Sequence, residues 1–173
     1  MSEAVSTEST SGQGPLPPGI MEALLSPSRN RPALRTLASF SGGVTDVSMP
    51  ESVVLVNKYD LLCPRPECAS LILRTGVGKL VEKPSVQMAP AERTPALLPH
   101  LPDPPALVEW WLVTPSPMEF ENIGFSKPLM LGGDAGTQMK LLTCAECDLG
   151  PLGWSEVGGT EFWLACSRVG YRA

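Results

Sequence analysis

Cys144-Ala-Glu-Cys147 sets two thiols three positions apart, with a glutamate between them and the turn-forming run Asp148-Leu-Gly-Pro-Leu-Gly153 behind. A second pair, Cys63 and Cys68, lies far upstream and encloses Pro-Arg-Pro-Glu. Close thiol pairs suit a metal because a tight turn can aim both sulfurs at one point. A structural Zn²⁺ takes four such sulfurs in a tetrahedron at about 2.3 Å. The later pair has the C-x2-C spacing of a knuckle, and the earlier one makes a wider loop stiffened by two prolines. One structural Zn²⁺ held by Cys63, Cys68, Cys144 and Cys147 is therefore expected, set against the plainer reading of reduced, packed cysteines.

Other chemistry fits less well. A redox pair of the thioredoxin kind opens a helix, whose dipole lowers the first thiol's pKa. The residues after Cys147 cannot start a helix, and Glu146 between the sulfurs opposes a thiolate. A catalytic zinc needs an open position and commonly a histidine. The single histidine, His100, sits in the proline-rich stretch ALLPHLPDPP. Cys166, the fifth cysteine, lies in the apolar segment FWLAC and reads as a small core residue. It is also the one thiol left for an enzyme reading, a methionine sulfoxide reductase-like activity.

The elements that must position these thiols are short. Nineteen prolines and sixteen glycines in 173 residues argue against a helical bundle and for strands joined by long loops. Ser52–Asn57, Ala69–Arg74, Leu107–Val113, Met118–Asn122, Met139–Thr143 and Glu161–Cys166 have strand composition. The two cysteine pairs lie beside such segments. Residues 84–105 are rich in proline and read as a long loop. Residues 1–50, rich in Ser, Thr, Pro and Gly, are expected to form a disordered tail with one short apolar patch at Gly19–Leu25. Residues 51–173 then form one zinc-binding domain of mainly β class.

Charge narrows the partners. The net charge is −5 with a pI near 4.9, which disfavours nucleic acid and anionic lipid as general partners. From Ala106 onward eight acids stand against four bases, and all four tryptophans lie there. Acids among aromatics suit a protein-binding surface that meets a basic partner, with a buried core as the alternative. No apolar run approaches the roughly 20 residues that span a bilayer. The polar N-terminus lacks a secretory pattern, and an odd number of cysteines fits a reducing compartment, so a cytosolic protein is expected.

Three segments in order carry a family resemblance: Trp110-Trp-Leu-Val113, Phe120-Glu-Asn-Ile-Gly-Phe-Ser-Lys127 and Leu142-Thr-Cys-Ala-Glu-Cys-Asp-Leu-Gly-Pro-Leu-Gly-Trp154. The chain resembles the Rab-interacting-factor family, the mammalian-suppressor-of-Sec and yeast dominant-suppressor-of-Sec proteins, over roughly residues 52–173. The resemblance implies a zinc-stapled β-tent of packed antiparallel sheets, shared with type B methionine sulfoxide reductases, with the four paired cysteines as ligands. It implies a monomer that binds nucleotide-free exocytic Rab GTPases, releases GDP slowly or chaperones the empty Rab, and uses no bond-making residue. Glu146 and the Asn122-Ile123-Gly124-Phe125 turn would face the Rab. Glu146 stands where many relatives have aspartate, and the Cys63/Cys68 spacing resembles fungal members. The Gly-Pro-Leu-Gly run is expected to turn the chain so that Trp154 packs beneath the metal site.

Overall fold

Leu107-Val-Glu-Trp-Trp-Leu-Val113 is rich in β-branched and aromatic residues, a composition that suits a pleated surface covered on both sides. The computed structural model describes residues 33–130 and 137–173, and there this segment is the longest kind of strand present, seven residues. The strands in chain order are β1 (Leu34–Thr36), β2 (Ser48–Glu51), β3 (Val54–Asn57), β4 (Leu61–Leu62), β5 (Leu71–Leu73), β6 (Lys79–Pro84) and β7 (Leu107–Val113). They continue as β8 (Ile123–Phe125), β9 (Leu129–Met130), β10 (Gln138–Cys144), β11 (Gly153–Glu156), β12 (Phe162–Ala165) and β13 (Gly170–Arg172). The fold is mainly β. Helical structure among the described residues is limited to one turn at Val44–Val47 and four 3₁₀ turns.

Two antiparallel sheets result. The smaller runs β1-β13-β4-β5, and the larger runs β2-β3-β6-β7-β12-β11-β10-β8 with β9 also on β10. One core lies between them and contains Leu61, Ile72, Leu73, Trp111, Val113, Leu142, Leu152, Leu164 and Tyr171, all fully or almost fully buried. A second cluster, with Trp110, Trp154, Trp163, Met139 and Met88, covers the other face of the larger sheet. Period-two geometry sends neighbours to opposite clusters: Phe162 and Leu164 join the first, Trp163 and Ala165 the second. Strand β12 is accordingly buried at every position.

The proline-rich loop covers that second face. Met88 joins the second cluster while Leu98 reaches the first, and the Gln87 amide donates to the Pro102 carbonyl, closing the loop on itself. Arg168 is 4% exposed and, among the described residues, has no carboxylate within ion-pair distance. Its guanidinium instead donates to the carbonyls of Pro99 and Pro151, tying the loop to the turn before β11. Burial lowers its pKa from the ordinary arginine value. Lys83 lies over the rings of Trp154 and Trp163, with its amine 4.7 and 4.2 Å from their centroids.

Several expectations need correction. The tail was placed at residues 1–50, but structure is present from Leu34: β1 pairs with β13, and β2 pairs with β3. Phe40 explains the gain, since its ring packs edge-on to Tyr171 and stacks on Tyr59. Strands this short carry no alternation that a sequence can display. The apolar patch at 19–25 lies outside the described residues. Met118–Asn122 is not a strand. Ser116 Oγ accepts the Met118 N–H and Pro117 starts a 3₁₀ turn, which moves the strand to Ile123. The four tryptophans are core, none above 5% exposed, so they do not form an aromatic surface.

Candidate metal centre and partner surface

Each cysteine pair closes a turn between neighbouring strands, and the two turns repeat one geometry. Cys63 N–H donates to the Ser70 carbonyl and Cys144 N–H to the Leu149 carbonyl. The residue after each second cysteine, Ala69 or Asp148, takes a positive φ of 45° or 56°. That left-handed step lets the chain double back beneath its own thiols. The first turn joins β4 to β5 in the smaller sheet, and the second joins β10 to β11 in the larger one. The four thiols therefore meet where the two sheets meet.

All four sulfurs lie within 4.8 Å of one another. Cys63 Sγ is 3.6 Å from Cys147 Sγ, and Cys68 Sγ is 3.8 Å from Cys144 Sγ. A tetrahedron of sulfurs about 2.3 Å from a central ion has edges of about 3.8 Å, close to these two separations. Cys63 and Cys144 are buried, and Cys68 and Cys147 are half-buried. The sulfurs receive different support. Burial raises the Cys63 thiol far above its ordinary range, with crowding by Cys147 and Cys144 adding to it, and burial also raises Cys147. Burial pushes Cys144 the same way, but Ser70 Oγ at 3.4 Å and the N–H groups of Cys147 and Glu146 outweigh it and hold this thiol lower. Thiols so close together cannot all ionise without a cation, and the backbone N–H groups already face sulfur. The residues present fit a metal ion.

Supporting groups were less visible in the sequence. Arg65 Nη1 donates to the Cys147 carbonyl at 3.2 Å, bracing one turn against the other. Asn122 joins both: its side-chain amide donates to Leu71 O at 2.9 Å, and its backbone carbonyl accepts the Ala145 N–H at 3.3 Å. Nothing in the spacing marks Arg65 or Ser70. Asn122, expected to face the Rab, also braces the first turn through its side chain.

The remaining candidates gather beside this centre. Ile123 is the register partner of Cys144, and Gly124 that of Thr143. Strand β8 ends the larger sheet's order, so its outer side is an edge. Phe125 is 39% exposed and its ring meets Phe162 edge-on with centroids 6.0 Å apart, whereas Ile123 turns partly into the core. Glu146 is exposed at the tip of its turn. Trp154, expected beneath the site, lies elsewhere. It stacks on Trp163 in the second cluster, because strand alternation points it to the outer face. Cys166 is 1% exposed and burial raises its thiol well above the ordinary value, with the Glu109 charge adding to it. His100 is exposed.

A mainly β domain whose two sheets converge on four clustered thiols is the class these observations define. The sequence model of the Mss4 protein family matches residues 56–171, and the chain belongs to that family. It is 41% identical over 51 residues to the guanine nucleotide exchange factor MSS4 homolog of Schizosaccharomyces pombe, covering 30% of this chain and 45% of that protein. It is 38% identical over 63 residues to the guanine nucleotide exchange factor MSS4 homolog of Drosophila melanogaster, covering 36% and 45%. The match thus spans under half the length of these curated relatives. Among the described residues no helix is long and apolar enough to cross a membrane.

Proposed function

We propose that this protein is a monomeric, cytosolic regulator of small GTPases that binds nucleotide-free exocytic Rab proteins. It promotes slow GDP release, holds the empty Rab, or does both. One observation carries this reading: exposed Glu146 tops a thiol turn that is hydrogen-bonded to the edge strand bearing Asn122–Phe125. That arrangement occurs in a family whose curated relatives are named exchange factors. The ion is Zn²⁺, since four thiolates in a closed tetrahedral set are soft ligands that leave no open position. Bound there through Cys63, Cys68, Cys144 and Cys147, it would supply rigidity rather than reaction chemistry.

No bond-making residue is required. A factor that prefers the empty GTPase must weaken nucleotide binding by the same factor, about tenfold for each 1.4 kcal/mol of preference. The residues here serve that end by presenting a fixed surface. Glu146 offers a negative charge, Phe125 a half-exposed ring, and the metal turn keeps both in register. An enzyme reading through Cys166 is opposed by its burial and raised thiol, because the thiolate is the nucleophile.

The test is stopped-flow association with nucleotide-stripped Rab. Glu146→Lys is expected to slow association roughly three- to tenfold at low salt and to flatten its salt dependence. The side chain is exposed, so thermal stability should not change. An unaltered association rate removes Glu146 from the interface.

A further inference from the structure

An open cavity of about 470 Å³ lies beside the first strand of the smaller sheet, bordered by Arg35, Phe40, Ser41, Thr45, Asp46, Lys58 and Tyr59. Most of this wall comes from residues 35–46, ahead of the family match that begins at residue 56. The family comparison therefore assigns it nothing.

Its donors are arranged around an aromatic floor. The Arg35 guanidinium lies over Phe40, its central carbon 3.9 Å from the ring centroid, and Phe40 stacks on Tyr59. Lys58 Nζ stands 5.2 Å above the Tyr59 ring. Arg35 Nε and Nη2 donate to Ser39, which fixes the guanidinium plane and leaves Nη1 without a hydrogen-bond partner among the described residues. Among the described residues, neither Arg35 nor Lys58 has a carboxylate within ion-pair distance. Thr45 Oγ1 already donates to Gly42 O, and Asp46 accepts the Gly42 N–H, so both are engaged. Three donor groups of different kinds remain on one wall: the Arg35 guanidinium, the Lys58 ammonium and the Ser41 hydroxyl.

The geometry points to a site for a phosphate monoester. A carboxylate presents two oxygens, whereas a terminal phosphate presents three and carries close to two charges near neutral pH. Three donors, two of them cationic, match the second ligand better. A planar guanidinium held by stacking suits phosphate in particular. The Asp46 carboxylate leaves the wall net positive by one, enough to favour a dianion but not to collect anions indiscriminately. The ester carbon would lie toward the open mouth, where either a phosphorylated side chain or a phosphorylated headgroup could stand. This site is separate from the metal turns and does not depend on the GTPase reading.

Isothermal titration of the metal-loaded full chain at constant ionic strength tests it, with inorganic phosphate, O-phosphoserine and inositol trisphosphate as probes and chloride as control. Saturable phosphate binding is expected, weakened about tenfold or more by Lys58→Gln and by Arg35→Gln. Arg35→Gln also removes the contacts to Ser39, so Lys58→Gln is the cleaner variant. Lys58 is exposed, and its loss should leave metal content and the phosphate-free melting temperature unchanged. Tighter binding of O-phosphoserine than of inositol trisphosphate identifies a protein source, and the reverse order a headgroup. No saturable binding of any probe, or undiminished binding by Lys58→Gln, overturns the assignment.

Discussion

Stripping the metal, or replacing Cys144 with serine, is expected to lower the melting temperature by on the order of 15 °C and to expose the core between the two sheets. The four thiols are the point at which the β4–β5 turn of one sheet is fastened to the β10–β11 turn of the other. Without an ion the buried Cys63 and Cys144 sulfurs lose their common partner, and the sheets can part at that end. Structural zinc sites contribute roughly 10–16 kcal/mol in peptides that have no other core. This domain has two clusters of its own, so a loss of about 5 kcal/mol is the reasonable scale. For a chain of this size each kcal/mol moves the midpoint by about 2–4 °C. Protons compete with the ion for thiolates, so metal occupancy should fall as pH is lowered. Cys166→Ser is the control: that thiol is outside the cluster and should leave metal content unaltered. Full metal binding and an unchanged melting temperature in Cys144→Ser would remove the cluster from the fold's support.

Gly153→Ala is expected to destabilise by about 3 kcal/mol or more, without touching the metal ligands. Gly153 sits opposite Leu164 in the β11–β12 pairing. A Cβ there would run into the Trp163 carbonyl, with Trp163 C at 2.8 Å and Leu164 Cα at 2.9 Å. Those are backbone atoms of a fully buried strand, which cannot step aside as a flexible side chain could. The substitution has to force β11 and β12 apart, and both aromatic layers depend on that spacing. Gly158→Ala makes a useful contrast. Its Cβ would meet nothing within 4 Å, and the cost there is only the left-handed φ of 77°, about 1–2 kcal/mol. Chemical denaturation of both variants checks the order. Equal midpoints would mean that the close approach at Gly153 is not what limits the fold.

The cluster of four thiols was the most legible feature, because thiol pairs in turn-forming sequence have few other uses. The class of fold was legible too, since β-branched and aromatic runs between prolines leave little room for helices. What escaped the sequence had physical reasons. Leu34–Thr36 is stable only through its pairing with β13 at the far end of the chain, so no local pattern announces it. Met118–Asn122 alternates like a strand, yet Ser116 and Pro117 impose a cap that composition does not weigh. Trp154 follows the Gly-Pro-Leu-Gly turn, but its facing depends on how β10, β11 and β12 align, a property of three strands together. Acids and tryptophans alternate in the C-terminal half because the larger sheet is covered on both faces, and the acids occupy what remains in water. The basic cavity at Arg35 and Lys58 joins residues on either side of a hairpin, and each alone reads as an ordinary surface charge.

Release of a fluorescent GDP analogue from a small panel of exocytic Rab GTPases, with micromolar protein and excess unlabelled nucleotide, is the most direct test of the proposed function. Faster release from one or a few members is expected, lost in Cys144→Ser and reduced in Glu146→Lys. Release at the intrinsic rate from every member, together with no stable complex with the nucleotide-stripped GTPases, would contradict it.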